Sequence, residues 1–333
     1  MANSGKGKLM RGVAVGGALA ATGVGTAAGL QQLQRTWASN PDPSSPDEWV
    51  MPDGRTLTVK TKDDAAISVT VAGEGPLVVM VHGWTCCKDM WAPLARRLIA
   101  GGYSVAMYDQ RGHGASKLGS TGATIEALGD DLAEVLEALG AHSATIVGHS
   151  MGGMAALSAV KQKPGLVGDQ IGRLILLSTA AGRVGYGVGD ALAAATLGSP
   201  VVNAFLESPL GFLSTRRAFG ERPVLSQMMR QRDYTATCDP QVRSRFLAEM
   251  LAMDLYDLLP TITVPATVMV GSKDHLTPPS RARELEAQIP GATLVTVPGR
   301  GHMLPWEDPD AVLAQILVPL SDGPLSPRAA PTH

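Results

Sequence analysis

A serine within a glycine-flanked pentapeptide, residues 148–152 (GHSMG), is the feature that most constrains the fold of this chain. It follows an apolar, strand-like run at residues 144–147 and precedes a run of small residues at 153–157 that favours a helix. A strand, a sharp turn and a helix around such a serine form a nucleophile elbow. Glycines suit the flanking positions because side chains there would collide with the strand and helix.

Eight short apolar or β-rich runs predict eight strands, at residues 57–60, 67–72, 77–82, 103–108, 144–147, 174–178, 267–271 and 293–297. Helical patterns lie between several of them, with the clearest spacing at 91–100 and 125–139. Strands that alternate with helices pair in parallel, whereas the first two runs, joined by a short Asp-rich turn, resemble an antiparallel hairpin at the edge. The predicted fold class is therefore α/β, with a doubly wound, mostly parallel sheet of eight strands.

One long segment, residues 182–259, interrupts this alternation with helical patches and no convincing strand pattern. An insertion there would lie over the C-terminal ends of the strands, where open α/β sheets bind ligands. We interpret it as a helical cap or lid, the alternative being a separate helical domain. Its apolar residues suit either an acyl-chain pocket or the face that packs on the core, and they are Leu192, Leu197, Val201, Val202, Phe205, Leu206, Leu210, Phe212 and Leu213. The sheet and its helices are expected to occupy residues 55–181 and 260–320.

The N-terminal residues 1–36 differ from the rest of the chain in composition. Lys6, Lys8 and Arg11 precede an uncharged run over residues 12–30, which as a helix would be about 28 Å long. This order indicates an anchor or an export signal, and hence possible membrane association or export, while a disordered tail and a cytoplasmic enzyme are the alternatives. Pro- and Ser-rich composition predicts a linker over residues 37–54 and a disordered tail over 321–333.

Composition excludes several other classes of protein. Hydrophobic residues form 45% of the chain, which is enough for a sizeable core, and a net charge of −2 provides no electrostatic footprint for nucleic acid. The three cysteines, Cys86, Cys87 and Cys238, favour neither a disulfide framework nor a metal site. We therefore expect no nucleic-acid partner and no metal, and the sequence predicts no particular oligomeric state.

Partners for the serine follow two later strands. A serine needs a base to act as a nucleophile, and the base needs an acid to orient it. Asp274 follows the run at 267–271, and His302 follows the run at 293–297, so both are expected at the same sheet edge as Ser150. Asp254 and Asp257 are weaker candidates for the acid, because they precede a strand.

The chain resembles the α/β-hydrolase superfamily through five motifs in the family's order. Besides the elbow, Asp274 and His302, these are His82-Gly83-Trp84 after the third run and residues 109–116 (DQRGHGAS) after the fourth. The resemblance implies a Ser150–His302–Asp274 triad and an oxyanion hole made by the backbone N–H groups of Trp84 and Met151.

The resemblance implies an esterase or lipase that acts on a small-molecule ester or lipid without a cofactor. Cofactor-free haloperoxidases or perhydrolases and carbon–carbon bond hydrolases use the same triad and remain alternatives. A membrane-tethered, non-catalytic binding protein on this scaffold is an alternative of another class. His82, Phe205 and Phe212 are the residues predicted to line a substrate pocket.

Overall fold

The computed structural model describes residues 27–182, 184 and 196–318. Its strands are β1 (Arg55–Lys60), β2 (Ala66–Ala72), β3 (Leu77–Val81), β4 (Ser104–Tyr108), β5 (Ala144–His149), β6 (Ile171–Leu177), β7 (Ala266–Gly271) and β8 (Thr293–Val297). They form one sheet in the order β1-β2-β4-β3-β5-β6-β7-β8. The β1–β2 and β2–β4 pairs are antiparallel, and all others are parallel. The predicted eight-stranded, mostly parallel sheet and its edge hairpin are confirmed.

Helices cover both faces of the sheet. The α-helices are α1 (Ala27–Ser39), α2 (Ala92–Ala100), α3 (Ile125–Ala138), α4 (Met151–Gln162), α5 (Pro200–Glu207), α6 (Leu225–Thr237), α7 (Pro240–Ala252), α8 (Pro279–Gln288), α9 (Leu304–Glu307) and α10 (Pro309–Ile316). Alternate residues of β3 enter opposite cores: Val79 and Val81 belong to one buried cluster, and Val78 and Met80 to the other. This alternation follows from the two-residue period of a strand, and a sheet buried on both faces explains the continuous apolar runs.

The segment between β6 and β7, residues 182–259, is called the cap segment below. Its described residues form α5, α6, α7 and 3₁₀ turns, and they add no strand to the sheet. Residues 183 and 185–195, which include Leu192 and most of one predicted helical patch, lie outside the described residues. The large aliphatic and aromatic residues of α5 and the turn after it differ in burial: Leu206 and Phe212 are buried, Val201 and Leu210 are exposed, and the others are half-buried.

The N-terminal anchor or signal prediction concerns residues 12–30, of which 12–26 lie outside the described residues. Residues 27–30 begin α1. Among the described helices, none combines the length and the apolar character needed to cross a bilayer. The predicted tail over 321–333 also lies outside the described residues.

Residues 37–51, most of the predicted linker, are called the strap below because they contact both the core and the cap segment. On the cap side, the Trp37 ring meets Phe212 edge-on at 6.2 Å, and Asn40 donates a hydrogen bond to the Pro223 carbonyl. On the core side, Trp49 meets Trp306 edge-on at 5.2 Å. The Pro/Ser-rich composition that predicts a linker therefore belongs here to a packed segment.

Two acidic residues of the strap, Asp42 and Glu48, also make polar contacts with the cap segment and the core. Glu48 accepts a 2.8 Å hydrogen bond from Arg97 of α2, and Asp42 accepts hydrogen bonds from Ser226 and Gln227 of α6. The same carboxylate of Asp42 thus fixes the strap to the start of a cap helix. These polar contacts explain why a segment with few apolar residues is nonetheless held against the surface.

The turn after β4 is fixed by a buried cation. The Arg111 guanidinium donates two 2.7 Å hydrogen bonds to Asp131 of α3 and one of 2.8 Å to Asp63 of the β1–β2 turn. Both Arg111 and Asp131 side chains are 1% exposed. Two parallel N–H···O bonds to one carboxylate are the strong geometry for such a pair.

We predict that Arg111→Leu lowers the free energy of unfolding by about 3–5 kcal/mol, because the buried Asp131 carboxylate loses its partner. Arg245→Leu is the matched control, since Arg245 pairs with Glu249 at the surface, where a pair contributes less than about 1 kcal/mol. Urea unfolding measures both variants. Equal losses from the two substitutions would contradict the prediction.

Candidate active site

Ser150 occupies a strained turn between β5 and α4. Its backbone has φ 52° and ψ −118°, a conformation that costs a residue with a side chain about 1–3 kcal/mol. The Ser150 N–H donates to the Leu177 carbonyl at 2.9 Å, and the Thr179 hydroxyl donates to the Ser150 carbonyl at 2.7 Å. These bonds to the end of β6 and the residues after it hold the serine at the C-terminal edge of the sheet, as the elbow motif predicts.

Two glycines let the elbow approach the end of β3. A Cβ atom on Gly152 would lie 2.1 Å from the Val81 carbonyl oxygen, a distance that no side chain tolerates. A Cβ atom on Gly83 would lie 3.3 Å from the Ser150 Cβ and 2.7 Å from His149 Nδ1. The backbone just before Trp84 therefore lies directly against the serine.

Asp274 and His302 meet on neighbouring loops, after β7 and β8. The His302 Nδ1 atom is 2.9 Å from Asp274 Oδ2, and both side chains are buried. The other carboxylate oxygen accepts backbone N–H bonds from Leu276 at 2.8 Å and Thr277 at 2.9 Å. Asp274 is therefore held by several donors and has one oxygen on the histidine ring.

The environment of Asp274 favours its charged form. Burial by itself would raise the pKa of this carboxyl, but the adjacent His302 ring and the backbone N–H groups outweigh it and lower the pKa below its usual value. The weaker candidate Asp257 is an exposed residue that pairs with Lys161 at 3.0 Å. Only Asp274 of these two is bonded to His302.

His149, the residue before the serine, connects the elbow to the histidine loop. Its Nε2 donates to the His302 carbonyl at 2.9 Å, and the two imidazole rings are 5.0 Å apart. The structure therefore brings Ser150, Asp274 and His302 to one edge of the sheet. The positions of all three residues directly after strands predict this meeting of three loops.

Each predicted oxyanion donor follows a residue of the contact between the elbow and the β3 end: Met151 follows Ser150, and Trp84 follows Gly83. Met151 is the first residue of α4, and the first N–H groups of a helix have no acceptor within it. Trp84 is the first central residue of a turn that the Cys86 N–H closes on the Gly83 carbonyl at 3.2 Å. The turn's own hydrogen bond thus does not use the Trp84 N–H.

The residues predicted to line a pocket are in three different environments. His82 is fully buried: Nδ1 donates to the Gly83 carbonyl at 2.8 Å, and Nε2 accepts from the Gln110 N–H at 2.9 Å. Phe212 is 2% exposed and packs on Trp37, while Phe205 is half-buried on α5. His82 and Phe212 thus also have structural contacts, and the pocket role of the three residues stays a prediction.

Glu307 is a residue that sequence reasoning missed. Its carboxylate accepts from the Gly301 N–H at 2.9 Å and from the Gly220 N–H at 2.7 Å, so it joins the histidine loop to the cap segment. The Ala218 carbonyl of the cap segment also accepts from the His302 N–H at 2.8 Å. An acid five residues after His302 has no recognisable signature in one sequence. Within the described part of the chain, no three His, Cys, Asp or Glu residues are arranged to hold a metal ion.

Three buried histidines near the site are held in their neutral form. Burial lowers the pKa of His82 to about 4 and the pKa values of His113 and His149 to about 3. In His113 the cause is also visible in the hydrogen bonds, since Nε2 accepts from the Thr85 N–H at 3.2 Å and has no room for a proton. Because the folded pKa lies below the unfolded value of 6.5, such a group stabilises the fold above pH 6.5, and its contribution is lost as the pH falls.

We predict that the destabilisation caused by His113→Asn is largest near pH 7.5 and shrinks below pH 6.5 by up to about 1.4 kcal/mol per pH unit. Urea unfolding of the variant and the unsubstituted protein between pH 7.5 and 4 measures the difference. His142→Asn is the control, because that side chain is 83% exposed. A difference for His113→Asn that stays constant with pH would show that the folded ring accepts a proton freely.

Comparisons with known proteins agree with this fold. The profile of the alpha/beta hydrolase family matches residues 78–315. N-formylmaleamate deformylase of Pseudomonas putida is 28% identical over 73% of this chain and 87% of its own length. Two solved esterases share the fold. That of Exiguobacterium antarcticum has a TM-score of 0.71 and 24% identity, over 79% of this chain and 98% of the esterase. That of Thermogutta terrifontis has a TM-score of 0.66 and 26% identity, over 79% and 96%. The chain belongs to the alpha/beta hydrolase family.

Proposed function

We propose that this protein is a serine hydrolase that cleaves carboxylic esters through an acyl-enzyme. The observation that carries the proposal is the Asp274–His302 pair, held beside the strained Ser150 elbow by the bond from His149 to the His302 backbone. A non-catalytic binding protein would need neither the strain at the serine nor a buried acid on the histidine. The similarity to solved esterases supports the same class of substrate.

The Asp274–His302 bond supports the following proton positions for the first step. With Nδ1–H donating to Asp274, the Nε2 lone pair of His302 is the base. It takes the proton of the Ser150 hydroxyl while Oγ bonds to the ester carbonyl carbon. The tetrahedral intermediate then expels the alcohol, which receives that proton from His302, and the acyl group stays on Ser150. Water attacks the acyl-enzyme by the same route and releases the acid.

The negative oxygen of each intermediate would accept hydrogen bonds from the Trp84 and Met151 N–H groups. One such donor typically contributes about 3 kcal/mol to transition-state stabilisation. Asp274 stabilises the imidazolium that forms on His302 without taking its proton. A carboxyl is ordinarily anionic at neutral pH, and the lowered pKa of Asp274 favours the same charged form.

We predict that Ser150→Ala lowers p-nitrophenyl ester hydrolysis by at least about 10⁴-fold and abolishes labelling by a fluorophosphonate probe, because the nucleophile is gone. Ser158→Ala is the control, since Ser158 is a buried serine on α4 that hydrogen-bonds Gln162. Circular dichroism checks that both variants fold.

Ester hydrolysis and labelling, together with assays on peroxide and on amides, distinguish the proposed esterase from the alternative functions. An active Ser150→Ala variant would contradict the triad, and an unlabelled unsubstituted protein would favour the binding protein. Acyl transfer to hydrogen peroxide that exceeds transfer to water would favour a perhydrolase. Cleavage of amides faster than of matched esters would instead place the protein with its deformylase relative.

For the substrate, we propose an ester with an apolar acyl chain, taken up at a lipid surface. The exposed Val201 and Leu210 of the cap segment and the uncharged run at residues 12–30 support this choice. Both features would favour contact with an apolar phase.

We predict that kcat/KM for p-nitrophenyl esters rises from acetate to decanoate, and that phospholipid vesicles raise it further. Val201→Asp should weaken the vesicle effect while leaving acetate hydrolysis within about twofold, because a charge at an exposed apolar position opposes insertion. Gln241→Glu, at an exposed polar position of α7, is the control for an added charge. A preference for acetate with no response to vesicles would contradict the lipid substrate.

A further inference from the structure

The turn that carries Trp84 contains a second strained residue. Thr85 has φ 62°, in the left-handed region that glycine adopts readily and a β-branched residue avoids. It occupies the second central position of the turn closed by the Cys86 N–H and the Gly83 carbonyl, where a positive φ normally selects glycine. Something outside the turn must therefore hold Thr85 in place.

Two cap-helix side chains contact the Thr85 hydroxyl. The Gln231 amide nitrogen donates to Thr85 Oγ1 at 3.3 Å, and Thr85 Oγ1 lies 3.1 Å from the Thr235 hydroxyl. Because the Thr235 hydroxyl donates to the Gln231 carbonyl at 2.9 Å, it is free to accept from Thr85. The Thr85 hydroxyl therefore has one donor and one acceptor on α6.

Gln231 also contacts the next residue of the turn. Its amide oxygen accepts from the Cys86 thiol at 3.5 Å, and the side chain is 8% exposed. One amide thus contacts two consecutive residues that follow Trp84. On the core side, the His113 ring accepts a hydrogen bond from the Thr85 N–H at 3.2 Å.

We propose that Gln231 is a positioning residue for the oxyanion hole, acting from the cap segment. It holds Thr85 in the left-handed conformation and contacts Cys86 beside it, and it thereby keeps the whole turn, including the Trp84 N–H, in one position against the elbow. The inference rests on the proposed function, and it makes the cap segment a part of the catalytic apparatus in addition to any role as a cover. A donor that is displaced acts on the transition state more than on the bound ester, so the effect belongs in kcat.

The first experiment measures Gln231→Met, which keeps the length of the side chain and removes its amide. We expect the rate of fluorophosphonate labelling at Ser150 and kcat for p-nitrophenyl butyrate both to fall by about 10- to 100-fold, with KM within about twofold. Gln227→Met is the matched control: Gln227 is a buried glutamine of the same helix, but it donates to Asp42 and to the Trp306 carbonyl. It should reduce stability and leave the labelling rate unchanged.

A double-substitution cycle tests the route through Thr85. Glycine adopts a positive φ without support, so in a Thr85→Gly background Gln231→Met should change the labelling rate by less than about threefold. If Gln231→Met does not fold, Thr235→Val removes the other hydroxyl contact and should lower labelling in the same direction.

The outcomes separate this inference from the proposed function. No labelling of Ser150 in the unsubstituted protein overturns both. Labelling of the unsubstituted protein with an equal rate in folded Gln231→Met, or in Thr235→Val if that is the variant that folds, overturns this inference alone. An undiminished effect of Gln231→Met in the Thr85→Gly background also overturns it, because the amide would then act without Thr85.

Discussion

The contact between the elbow helix and the end of β3 is the constraint on which the site depends. Gly152 lies so close to the Val81 carbonyl that only a residue without a side chain fits. Because β3 and β5 are parallel neighbours, this contact sets the depth of Ser150 relative to Gly83. The serine and the turn that carries Trp84 are thus located by backbone atoms, which move less than side chains. Asp274 and His302 then need only extend from the ends of β7 and β8.

The cap segment contributes to both sides of the site. Its Ala218 carbonyl holds the backbone of His302, and Gln231 contacts the turn after β3. Trp84 adds a third connection, because its indole N–H donates to the Arg243 carbonyl of α7 at 3.1 Å. The cap segment, which the sequence presents as an insertion into the sheet, is therefore connected to the loops that carry His302 and Trp84.

Much of this architecture could be predicted from the sequence, because the signals were local. Apolar runs between turn residues identify all eight strands, and the glycines around Ser150 identify the elbow. Asp274 and His302 follow from their places after strands. The contacts of Gln231 and Glu307 could not be predicted, since an isolated polar residue on a helix does not indicate a partner 80 to 150 positions away. The strap was missed for a related reason: its proline and serine content resembles that of a linker, while its few tryptophans and acids find partners only in three dimensions.

The strap also changes where the hydrolase unit begins. A protein that began at residue 55, where β1 starts, would lack three contacts of the strap. These are the ring contacts of Trp37 with Phe212 and of Trp49 with Trp306, and the hydrogen bond from Ser226 to Asp42 at the start of α6. Arg230 of the same helix would lose the Trp49 ring that it covers at 4.1 Å. A chain trimmed there would keep every residue of the proposed triad and the whole sheet. It would nevertheless expose Phe212 and Trp306 beside α6, the helix that carries Gln231. A deletion before β1 would therefore change the surroundings of a helix that contacts the turn of Trp84.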